Sequence, residues 1–507
     1  MTSIVLFRKD LRLTDNPALY AAAERGTVLP LYIAACTEKT TFHPDEMTDD
    51  WPMGAASRWW LHHSLTALDQ SLHEHGSHLH IGQSHHTAEY LLALCQHSNA
   101  DAVFWNRRYA PHEINADKAL KSQLKAAGIA VHSFNGNLLN EPWEVFNKQS
   151  LPYKVFTPYW RECRNHTTPP TPLPVPTINS PEPVNSPKPV NNLESTQADI
   201  ACKTIDSLQL LPTQPDWSKG FYERWQPGEL AAQKKWDIFL ESAVTRYDQA
   251  RNFPAIAGTS YLSPHLAFGE ISPRQIWHDV VAQSSLGKND DMERYLSEIG
   301  WREFSYYQLY HFPHILNDSF NPRFDHFAWQ NEADKIATQL PAWQQGLTGY
   351  PIVDAGMREL WHTGYMHNRV RMIVASFLCK DLLLHWRSGA QWFWDTLVDA
   401  DLASNTASWQ WTAGCGADAA PFFRIFNPIT QGEKFDADGE YTRRWVPELA
   451  LLPKKYLQKP WTASSDLLKQ AGVQLGENYP FPIVDHKIAR ETALERFKDL
   501  KSHPENQ

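Results

Sequence analysis

Residues 365–372 read YMHNRVRM and lead into a long apolar run, IVASFLCKDLLLHWR, over residues 373–387. At 3.6 residues per turn the pattern predicts one helix, with an apolar face made of Val370, Ile373, Val374, Phe377 and Leu384. The opposite face starts with Asn368, Arg371 and Met372, with Ala375 beside them, and becomes apolar through Cys379, Leu382 and Leu383. Because a helix that is apolar on both sides lies inside a large protein, we expect this one to be buried.

The polar side chains at the start of this helix need partners, since burying an unpaired amide or guanidinium group is costly. One interpretation is a hydrogen-bonded network within the core. The other is a ligand site, which the helix alone does not establish.

The composition is that of an ordinary globular protein of more than one domain, because 507 residues exceed the size of a single compact core. Trp is unusually frequent, with 21 residues, and serves either as core filling or as the wall of an aromatic-lined site. The net charge of -10 excludes a uniformly basic nucleic-acid coat but not a local basic patch.

The six Cys residues are scattered without a CxxC pair, so no metal site and no disulfide framework is expected. The first residues have no signal-peptide core, and no apolar run is long enough to cross a bilayer. We therefore expect a cytoplasmic protein that does not enter a membrane.

The first part of the chain alternates between strand and helix patterns. Strands are predicted at residues 3–7, 28–33, 78–81, 102–105 and 129–134, with helices at 18–24, 57–75, 87–96 and 115–126. Asp15 or Asn16 can cap the first helix, with Pro17 in its first turn and Gly26 at its end. This predicts a doubly wound parallel sheet, and no GxGxxG follows the first strand, so a standard dinucleotide site is not indicated.

A Pro-, Ser- and Asn-rich segment at residues 167–192 predicts an extended, mobile linker. From residue 228 the patterns are helical, beginning with residues 230–246. We therefore predict three parts: an α/β domain at 1–140, a connector at 141–227 and a large all-α domain at 228–507.

Three further stretches contain groups that suit a cofactor or are simple helix caps. The hydroxyl-rich sequence GTSYLSP at residues 258–264 suits a phosphate. Glu298 shares a helix face with Trp301, and its spacing to Arg302 predicts an ordinary surface ion pair. Asp399 and Asp401 are either caps or the acidic partners that buried Arg371 needs.

Taken together, these motifs closely resemble the photolyase/cryptochrome flavoproteins. The resemblance is carried by FRKDLRLTDNPAL in the first domain and by GTSYLSP, SEIGWREF, GYPIVDAGMREL, MHNRVRM, DADLASN, SWQW and FRIFNPITQGEKFD in the second. It covers the chain except the Pro-rich segment. MHNRVRM is similar to the cyclobutane-pyrimidine-dimer (CPD) photolyases, with Met372 where (6-4) photolyases carry His, and the Trp-rich segments look most like the bacterial class III branch.

The resemblance implies the role of each site residue. The FAD-binding set would be Tyr247, Thr259, Ser260, Leu262, Ser263, Arg371, Asp399, Asp401 and Asn405. The pocket for the dimer would be formed by Glu298, Trp301, Asn368, Met372 and Trp411. Electrons would reach the flavin through Trp329, Trp386 and Trp409, and the DNA backbone would lie near Arg251, Arg302, Arg369, Arg424, Gln431 and Lys434.

The resemblance also implies the activity and the partners. Reduced FAD absorbs blue light and donates an electron to a flipped-out dimer in UV-damaged DNA, the ring splits, and the electron returns. The expected enzyme is a monomeric deoxyribodipyrimidine photo-lyase of the bacterial cytoplasm, at the nucleoid when it is bound to DNA. The class III likeness favours a 5,10-methenyltetrahydrofolate antenna over 8-hydroxy-5-deazaflavin or no antenna, although residues 105–108 lack the Asn-Glu pair of some folate-binding members.

Other departures and other functions remain open at this stage. Ser305 stands where some CPD photolyases have Tyr, and Tyr261 where some have Arg. A cryptochrome-type blue-light receptor without repair activity is the main alternative, disfavoured by the complete set of dimer-pocket residues. A (6-4) photolyase is disfavoured by Met372, and a plain helical nucleic-acid-binding module by the buried acidic and hydroxyl groups.

Overall fold

The first domain is organised on a five-stranded parallel sheet. The computed structural model describes residues 1–35, 51–166, 168–181, 200–284, 290–419 and 421–502. The strands are β1 Thr2–Phe7, β2 Thr27–Ala34, β3 His80–Gln83, β4 Ala100–Asn106 and β5 Ala130–Phe134, in the order β3-β2-β1-β4-β5. The helices between them are α1 Pro17–Arg25, α2 Ala55–Glu74, α3 Thr87–Ser98 and α4 Pro111–Ala126.

This architecture confirms the predicted α/β alternation, and most of the predicted boundaries fall within two residues of the observed ones. The first helix starts where expected because the Asn16 side chain accepts a hydrogen bond from Leu19 N. Asp15, the alternative cap, has a left-handed backbone (φ 52°), and its carboxylate instead binds Arg274 of the second domain.

The crevice between β1 and β4, where the strand order reverses, is filled by the protein's own side chains. Asn106 Nδ2 donates to Asp10 Oδ2 at 2.7 Å and to Asn16 Oδ1 at 2.8 Å, and Arg8 pairs with Asp117 beside them. Dinucleotides bind at this place in many doubly wound folds. The filled crevice agrees with the missing glycine motif.

The carboxyl edge of the sheet packs against the helical part of the chain. The buried Arg12 donates to the carbonyl oxygen of Gly269 at 2.8 Å, and Arg274 bonds the Asp15 carboxylate at 2.7 Å. The carboxylate of Glu229 accepts from the backbone N–H groups of Leu13 and Thr14. These buried contacts fix the sheet domain to the helices.

The described part of the Pro-rich segment is extended, as predicted, but it is attached along its length. Leu173 exchanges backbone and side-chain hydrogen bonds with Asp15, and Asn179 O accepts from Val28 N at 2.8 Å beside β2. His278 contacts the carbonyl oxygens of residues 169 and 170. The prediction of a mobile linker is therefore wrong for residues 168–181, while its continuation to residue 192 lies outside the described residues.

After β5, the regular secondary structure of the described residues is helical. The α-helices are α5 Phe156–His166, α6 Lys219–Arg224, α7 Glu229–Ser242, α8 Tyr247–Ala250, α9 Ser263–Ala267, α10 Pro273–Ser284, α11 Asp290–His311, α12 Ala333–Gln344, α13 Pro351–Thr363 and α14 Asn368–Ser376. They continue as α15 Trp386–Thr396, α16 Leu402–Ala413, α17 Pro428–Phe435, α18 Glu440–Trp445, α19 Lys454–Leu457, α20 Ser465–Gln470 and α21 His486–Ser502. This confirms the predicted mostly helical second domain.

The predicted continuous helix over residues 372–387 is wrong in its second half. Helix α14 changes into a π-helical turn at Phe377–Asp381, and the chain then reverses at Leu383, whose φ is 56°. His385 caps the next helix, since its Nδ1 accepts from Arg387 N. Because residues 373–384 are buried throughout, the apolar pattern continues through the break. The sequence therefore predicted the burial correctly but did not predict the turn.

Candidate functional site

A buried ion pair lies at the centre of the helical domain. Arg371 of α14 donates to Asp399 Oδ2 at 2.8 Å and to the carbonyl oxygen of Met366 at 2.6 Å. Ser263, at the start of α9, donates to the same Asp399 oxygen at 2.6 Å. Burial opposes the charge of Arg371, but Asp399 and Tyr365 outweigh it and raise the pKa of the guanidinium group. The structure thus joins three of the predicted cofactor-binding residues in one cluster.

Two polar atoms of the predicted set are buried without a protein partner among the described residues. They are Asp399 Oδ1 and Thr259 Oγ1. Next to Thr259, Ser260 Oγ accepts from the hydroxyl of Tyr295 at 3.0 Å, and the Tyr295 ring lies edge-on to Tyr247, 5.1 Å away. Unsatisfied buried oxygens are costly, so this region has the donors and acceptors that a polar ligand would satisfy.

Asp401 and Asn405 have definite structural partners. Asp401 caps α16 by accepting from Ser404 N at 2.8 Å, and its other oxygen takes a short hydrogen bond from the Tyr306 hydroxyl. Asn405 donates its amide to the carbonyl oxygen of Ala390 at 2.9 Å, which orients the side chain against α15. The cap interpretation of Asp401 is therefore confirmed, whereas the carboxylate that pairs with Arg371 is that of Asp399.

His367 is a residue of this site that the sequence did not single out. Its Nδ1 accepts from Arg369 N at 3.2 Å and caps α14, while Nε2 is buried without a partner among the described residues. Burial, followed by the charges of Arg371, Arg369 and Arg251, lowers the pKa of the ring to about 3. A neutral imidazole whose Nδ1 accepts must carry its proton on Nε2. Its buried N–H was not visible in the sequence, where His367 appeared only as part of MHNRVRM.

The predicted dimer-pocket residues come from three helices. Asn368 and Met372 stand one turn apart on α14, Glu298 and Trp301 one turn apart on α11, and Trp411 lies half-buried on α16. Helices α11 and α14 both pack against α16. Asn368 is exposed, so its amide is available to a ligand that approaches from solvent.

Two neighbours of this pocket were not predicted. Phe156 of α5 stacks on Trp301 with ring centres 3.8 Å apart, so one face of that indole is covered by protein. Glu298 forms a short ion pair with Arg251, and the predicted surface pair with Arg302 is wrong. Arg302 instead donates to the carbonyl oxygen of Asn137 at 2.8 Å, which draws it toward the sheet domain.

The predicted tryptophan series lies along the start of α15. Trp386 and Trp409 are almost fully buried, and Trp329 is half-buried near the surface. The His385 ring lies between Trp329 and Trp386, with ring centres 5.2 and 5.5 Å away. Trp409 packs against Gly389, where a Cβ atom would meet its ring at 2.1 Å, so only Gly allows this approach.

Most of the predicted DNA contacts lie together on one face. Burial, followed by the charges of Arg251 and Arg424, lowers the pKa of Arg369, so these three guanidinium groups are electrostatic neighbours. Arg369 and Lys434 both lie over the Phe435 ring, at 4.4 and 5.1 Å, on the helix that also carries Gln431. We name Arg251, Arg369, Arg424 and Lys434 the basic face; Arg302 lies apart from it, at the contact between the domains.

Two other classes of site find no support among the described residues. No described helix is long and apolar enough to span a bilayer. No group of three or more His, Cys, Asp or Glu side chains within the described ranges is arranged to hold a metal ion.

Comparison with known proteins agrees with the geometry. Residues 3–177 match the family described as DNA photolyase, and residues 295–499 match the FAD binding domain of DNA photolyase. The deoxyribodipyrimidine photo-lyase of Agrobacterium fabrum is 49% identical to the chain, covering 98% of each protein. Cryptochrome-2 of Arabidopsis thaliana is 40% identical over 96% of this chain and 77% of that protein.

Solved structures show the same relationship. A bacterial class III photolyase from Agrobacterium tumefaciens superposes with a TM-score of 0.90 at 48% identity, covering 99% of this chain and 98% of the other. The matches extend over both domains and include the helices that carry Arg371 and Trp409 and the turn that carries Asp399. The chain therefore belongs to the photolyase/cryptochrome family of flavoproteins.

Proposed function

We propose that the protein is a light-driven DNA lyase that splits cyclobutane pyrimidine dimers. The observation that carries the proposal is the buried Arg371–Asp399–Ser263 cluster, with its unsatisfied oxygen, beside α14, the helix that also carries Asn368, Met372 and Arg369 of the basic face. A polar cofactor inside and a damaged strand outside would satisfy both sides of this arrangement. The similarity to photo-lyases over the whole chain supports it.

The residues present fit FAD. Arg371, Ser263 and Asp399 would hold the flavin side, the hydroxyls of Thr259 and Ser260 would take its phosphates, and Tyr247 would pack nearby. When bound and reduced, FAD supplies an electron to the dimer after absorbing blue light and takes it back after the ring has split. Asp401 and Asn405, fixed by Tyr306 and Ala390, would close the cofactor side of α16.

The protein's own groups prepare the binding of the lesion. A dimer inside a duplex cannot reach a buried cofactor, so it must be extruded, as photolyases in general do, and a lesion that pairs badly costs less to extrude. Asn368 and Glu298 would hydrogen-bond the dimer, Met372 would pack on it, and the free faces of Trp301 and Trp411 would stack on its rings. The basic face would bind the flanking phosphates, which makes affinity decrease with salt.

Met372 directs the choice of lesion. Splitting a cyclobutane requires an electron and no positioned acid, so an apolar thioether is suitable there. Repair of a (6-4) product requires a proton transfer, which a thioether cannot perform. His367, the nearest imidazole in the sequence, is held neutral and buried as the cap of α14.

An experiment with two lesions tests the proposal. Oligonucleotides that contain a single CPD or a single (6-4) product are illuminated with blue light in the presence of the reduced holoenzyme, and the products are separated by chromatography. We expect light-dependent disappearance of the CPD and no change in the (6-4) product. Repair of the (6-4) product, or of neither lesion, would contradict the assignment.

A blue-light photoreceptor without repair activity is the second candidate, and the 40% identity to a plant cryptochrome favours it. The two candidates share the cofactor site and differ in the pocket. The set Glu298, Trp301, Asn368, Met372 and Trp411 has a purpose only when a dimer is bound. We therefore prefer the enzyme.

Three finer features belong to the proposal as well. We assign the antenna to 5,10-methenyltetrahydrofolate, with 8-hydroxy-5-deazaflavin as the alternative, because the chain is similar to a class III photolyase. One absorption spectrum of the purified protein distinguishes these chromophores from FAD alone. We keep 1–140, 141–227 and 228–507 as the limits of the antenna-type domain, the connector and the catalytic domain, and a monomer as the active form.

A further inference from the structure

The loop that carries Arg424 is fastened to the end of α14. This loop, residues 421–427, has the sequence PFFRIFN. Phe426 N donates to Ser376 Oγ at 3.3 Å, and Lys380 Nζ donates to the carbonyl oxygen of Arg424 at 3.3 Å. The same ammonium group lies 5.3 Å from the centre of the Phe422 ring. Two of the three contacts thus depend on one lysine side chain.

Lys380 is in an unusual position for a lysine. It is 1% exposed and belongs to the π-helical turn that follows α14. Lysine is rarely buried to this extent, and isolated π turns in helices occur frequently at functional sites. Among the described residues, its only hydrogen-bond acceptor is the Arg424 carbonyl oxygen. A buried charge that is directed at one loop indicates a specific role for that contact.

The loop needs the contact with Lys380 because the positive charges of Arg251 and Arg369 repel the Arg424 side chain. Arg424 and Arg251 both lower the pKa of Arg369, so three positive charges lie close together before any phosphate is present. Like charges this close favour movement of the loop, because residues 421–427 belong to no helix or strand. The Lys380 contact to the backbone restrains the loop without using the guanidinium group.

We propose that Lys380 is a positioning residue for DNA binding, whose ammonium group holds the Arg424 loop so that the basic face is complete before a damaged strand arrives. The proposal rests on the DNA-repair function inferred above. It assigns a role to a buried side chain that contacts neither the cofactor site nor the dimer pocket. It also predicts that loss of the charge weakens DNA binding through Arg424 alone.

The groups around Lys380 determine when this charge is lost. Burial lowers the pKa of the ammonium group to about 8, against the raising effects of Cys379 and Asp381 on its own turn and of Cys415 after α16, while Arg424 adds to the lowering. DNA affinity should therefore fall as the pH rises through about 8. Stability should change in the opposite direction, because between about 8 and the ordinary lysine value of 10.5 the unfolded chain holds more protons than the folded one.

The test uses the FAD-loaded protein and a duplex containing one CPD. Lys380→Met removes the charge at nearly the same volume, and Lys380→Arg keeps it at every pH. Lys235→Met is the matched control, since Lys235 is also partly buried and lies 5.2 Å from the Trp225 ring, on α7, which carries no residue of the basic face. Dissociation constants are measured at about pH 7 and about pH 9, with flavin content and melting temperature as checks of folding.

We expect Lys380→Met to weaken binding about tenfold at the lower pH, from the loss of a charged hydrogen bond. Lys380→Arg should bind like the wild type and lose the pH dependence, and Lys235→Met should change nothing. In an Arg424→Ala background, Lys380→Met should add no further loss, as two residues that act through one contact are not additive.

The outcomes separate this inference from the proposed function. If Arg424→Ala weakens binding and Lys380→Met does not, the positioning role is wrong and the basic face stands. If Arg424→Ala binds like the wild type, the basic face itself is wrong. Should Lys380→Met fail to fold, the comparison of wild type with Lys380→Arg decides alone, and equal pH profiles for the two would overturn the inference.

Discussion

At the scale of single residues, the proposed cofactor site depends on charges that are tolerable only in pairs. Arg371 and Asp399 neutralise each other in the core, and Ser263 satisfies one more lone pair of the carboxylate. A buried pair of this kind contributes little to net stability, but removing one partner leaves an uncompensated charge. We therefore attribute the presence of the pair to the cofactor that it is proposed to hold.

Asp399→Asn should release the flavin. The amide cannot balance Arg371, and breaking a buried pair of this kind costs about 3–5 kcal/mol. Ser263→Ala is the matched control, because it removes only one hydrogen bond, worth about 1 kcal/mol, and should keep most of the cofactor. The measurement is the ratio of flavin to protein absorbance after gel filtration. A fully loaded Asp399→Asn protein would show that the pair does not hold the cofactor.

Glu298→Gln should lower the yield of repair more than the affinity for DNA. The carboxylate is one of two polar groups assigned to the dimer, whereas phosphate contacts carry most of the binding. Arg251, freed from its ion pair with Glu298, becomes available to a phosphate, so affinity is expected to stay equal or rise. Repair per absorbed photon and the dissociation constant are measured on the same duplex. An affinity loss that matches the loss of repair would contradict this role.

At the scale of elements, local sequence patterns predicted the strands and helices that depend on interactions between neighbouring residues. The five strands and four helices of the first domain were visible because alternation and caps depend on near neighbours. Leu383 shows the limit: its left-handed turn is set by packing in a fully buried region, where the apolar pattern is the same on both sides of the break.

The motifs predicted the residues of the candidate site, but they did not predict the distant residues that contact them. Three contacts join residues that are far apart in the sequence: Phe156 with Trp301 (145 positions), Tyr306 with Asp401 (95) and Arg251 with Glu298 (47). No local sequence rule connects residues at these separations. The helical i,i+4 rule favoured Arg302 for Glu298 and failed, because the sheet domain offers Arg302 a carbonyl oxygen.

Helix α15 with its neighbours should conduct electrons inward from the surface. Trp409→Phe is expected to abolish photoreduction of the bound flavin and leave flavin content unchanged, since phenylalanine fills much of the space but is far harder to oxidise. Trp105→Phe in β4, equally buried but remote from α15, is the control. Absorbance of oxidised flavin is followed under blue light with an external thiol as reductant. Wild-type photoreduction in Trp409→Phe would remove this residue from the path.

Helix α11 should connect the first domain to the second in a pH-dependent manner. Glu303 accepts from Leu139 N at 2.8 Å and Asn140 N at 3.2 Å, and burial raises its pKa to about 7, against the lowering effects of Arg302 and these hydrogen bonds. A raised carboxyl pKa contributes stability that is present below the unfolded value of 4.5 and lost as the pH rises through 7.

Glu303→Gln tests this contact. The stability of the wild type relative to the variant should fall by up to about 3 kcal/mol between acidic and mildly basic pH, because each pKa unit corresponds to about 1.4 kcal/mol. Urea unfolding at a series of pH values provides the comparison. A constant difference over this range would show that Glu303 does not titrate in the folded protein.

At the scale of the whole molecule, a negatively charged protein presents a positive face to its partner. The net charge is -10, yet Arg251, Arg369, Arg424 and Lys434 lie together on the basic face. The sheet domain is attached to the helices by its carboxyl edge, and its own crevice is filled by side chains. The proposed DNA contacts and the proposed electron path therefore meet at α14 and α16.

The most direct test of light-driven CPD repair is the recovery of thymine absorbance in UV-irradiated oligothymidylate. The reduced, FAD-loaded protein is added to the single-stranded substrate, and the sample is divided between darkness and blue light. The proposed function predicts that absorbance returns in the illuminated half, over many turnovers, and stays constant in the dark. No recovery under light in single- or double-stranded DNA, with FAD bound and reduced, would contradict repair and leave the photoreceptor as the function of this fold.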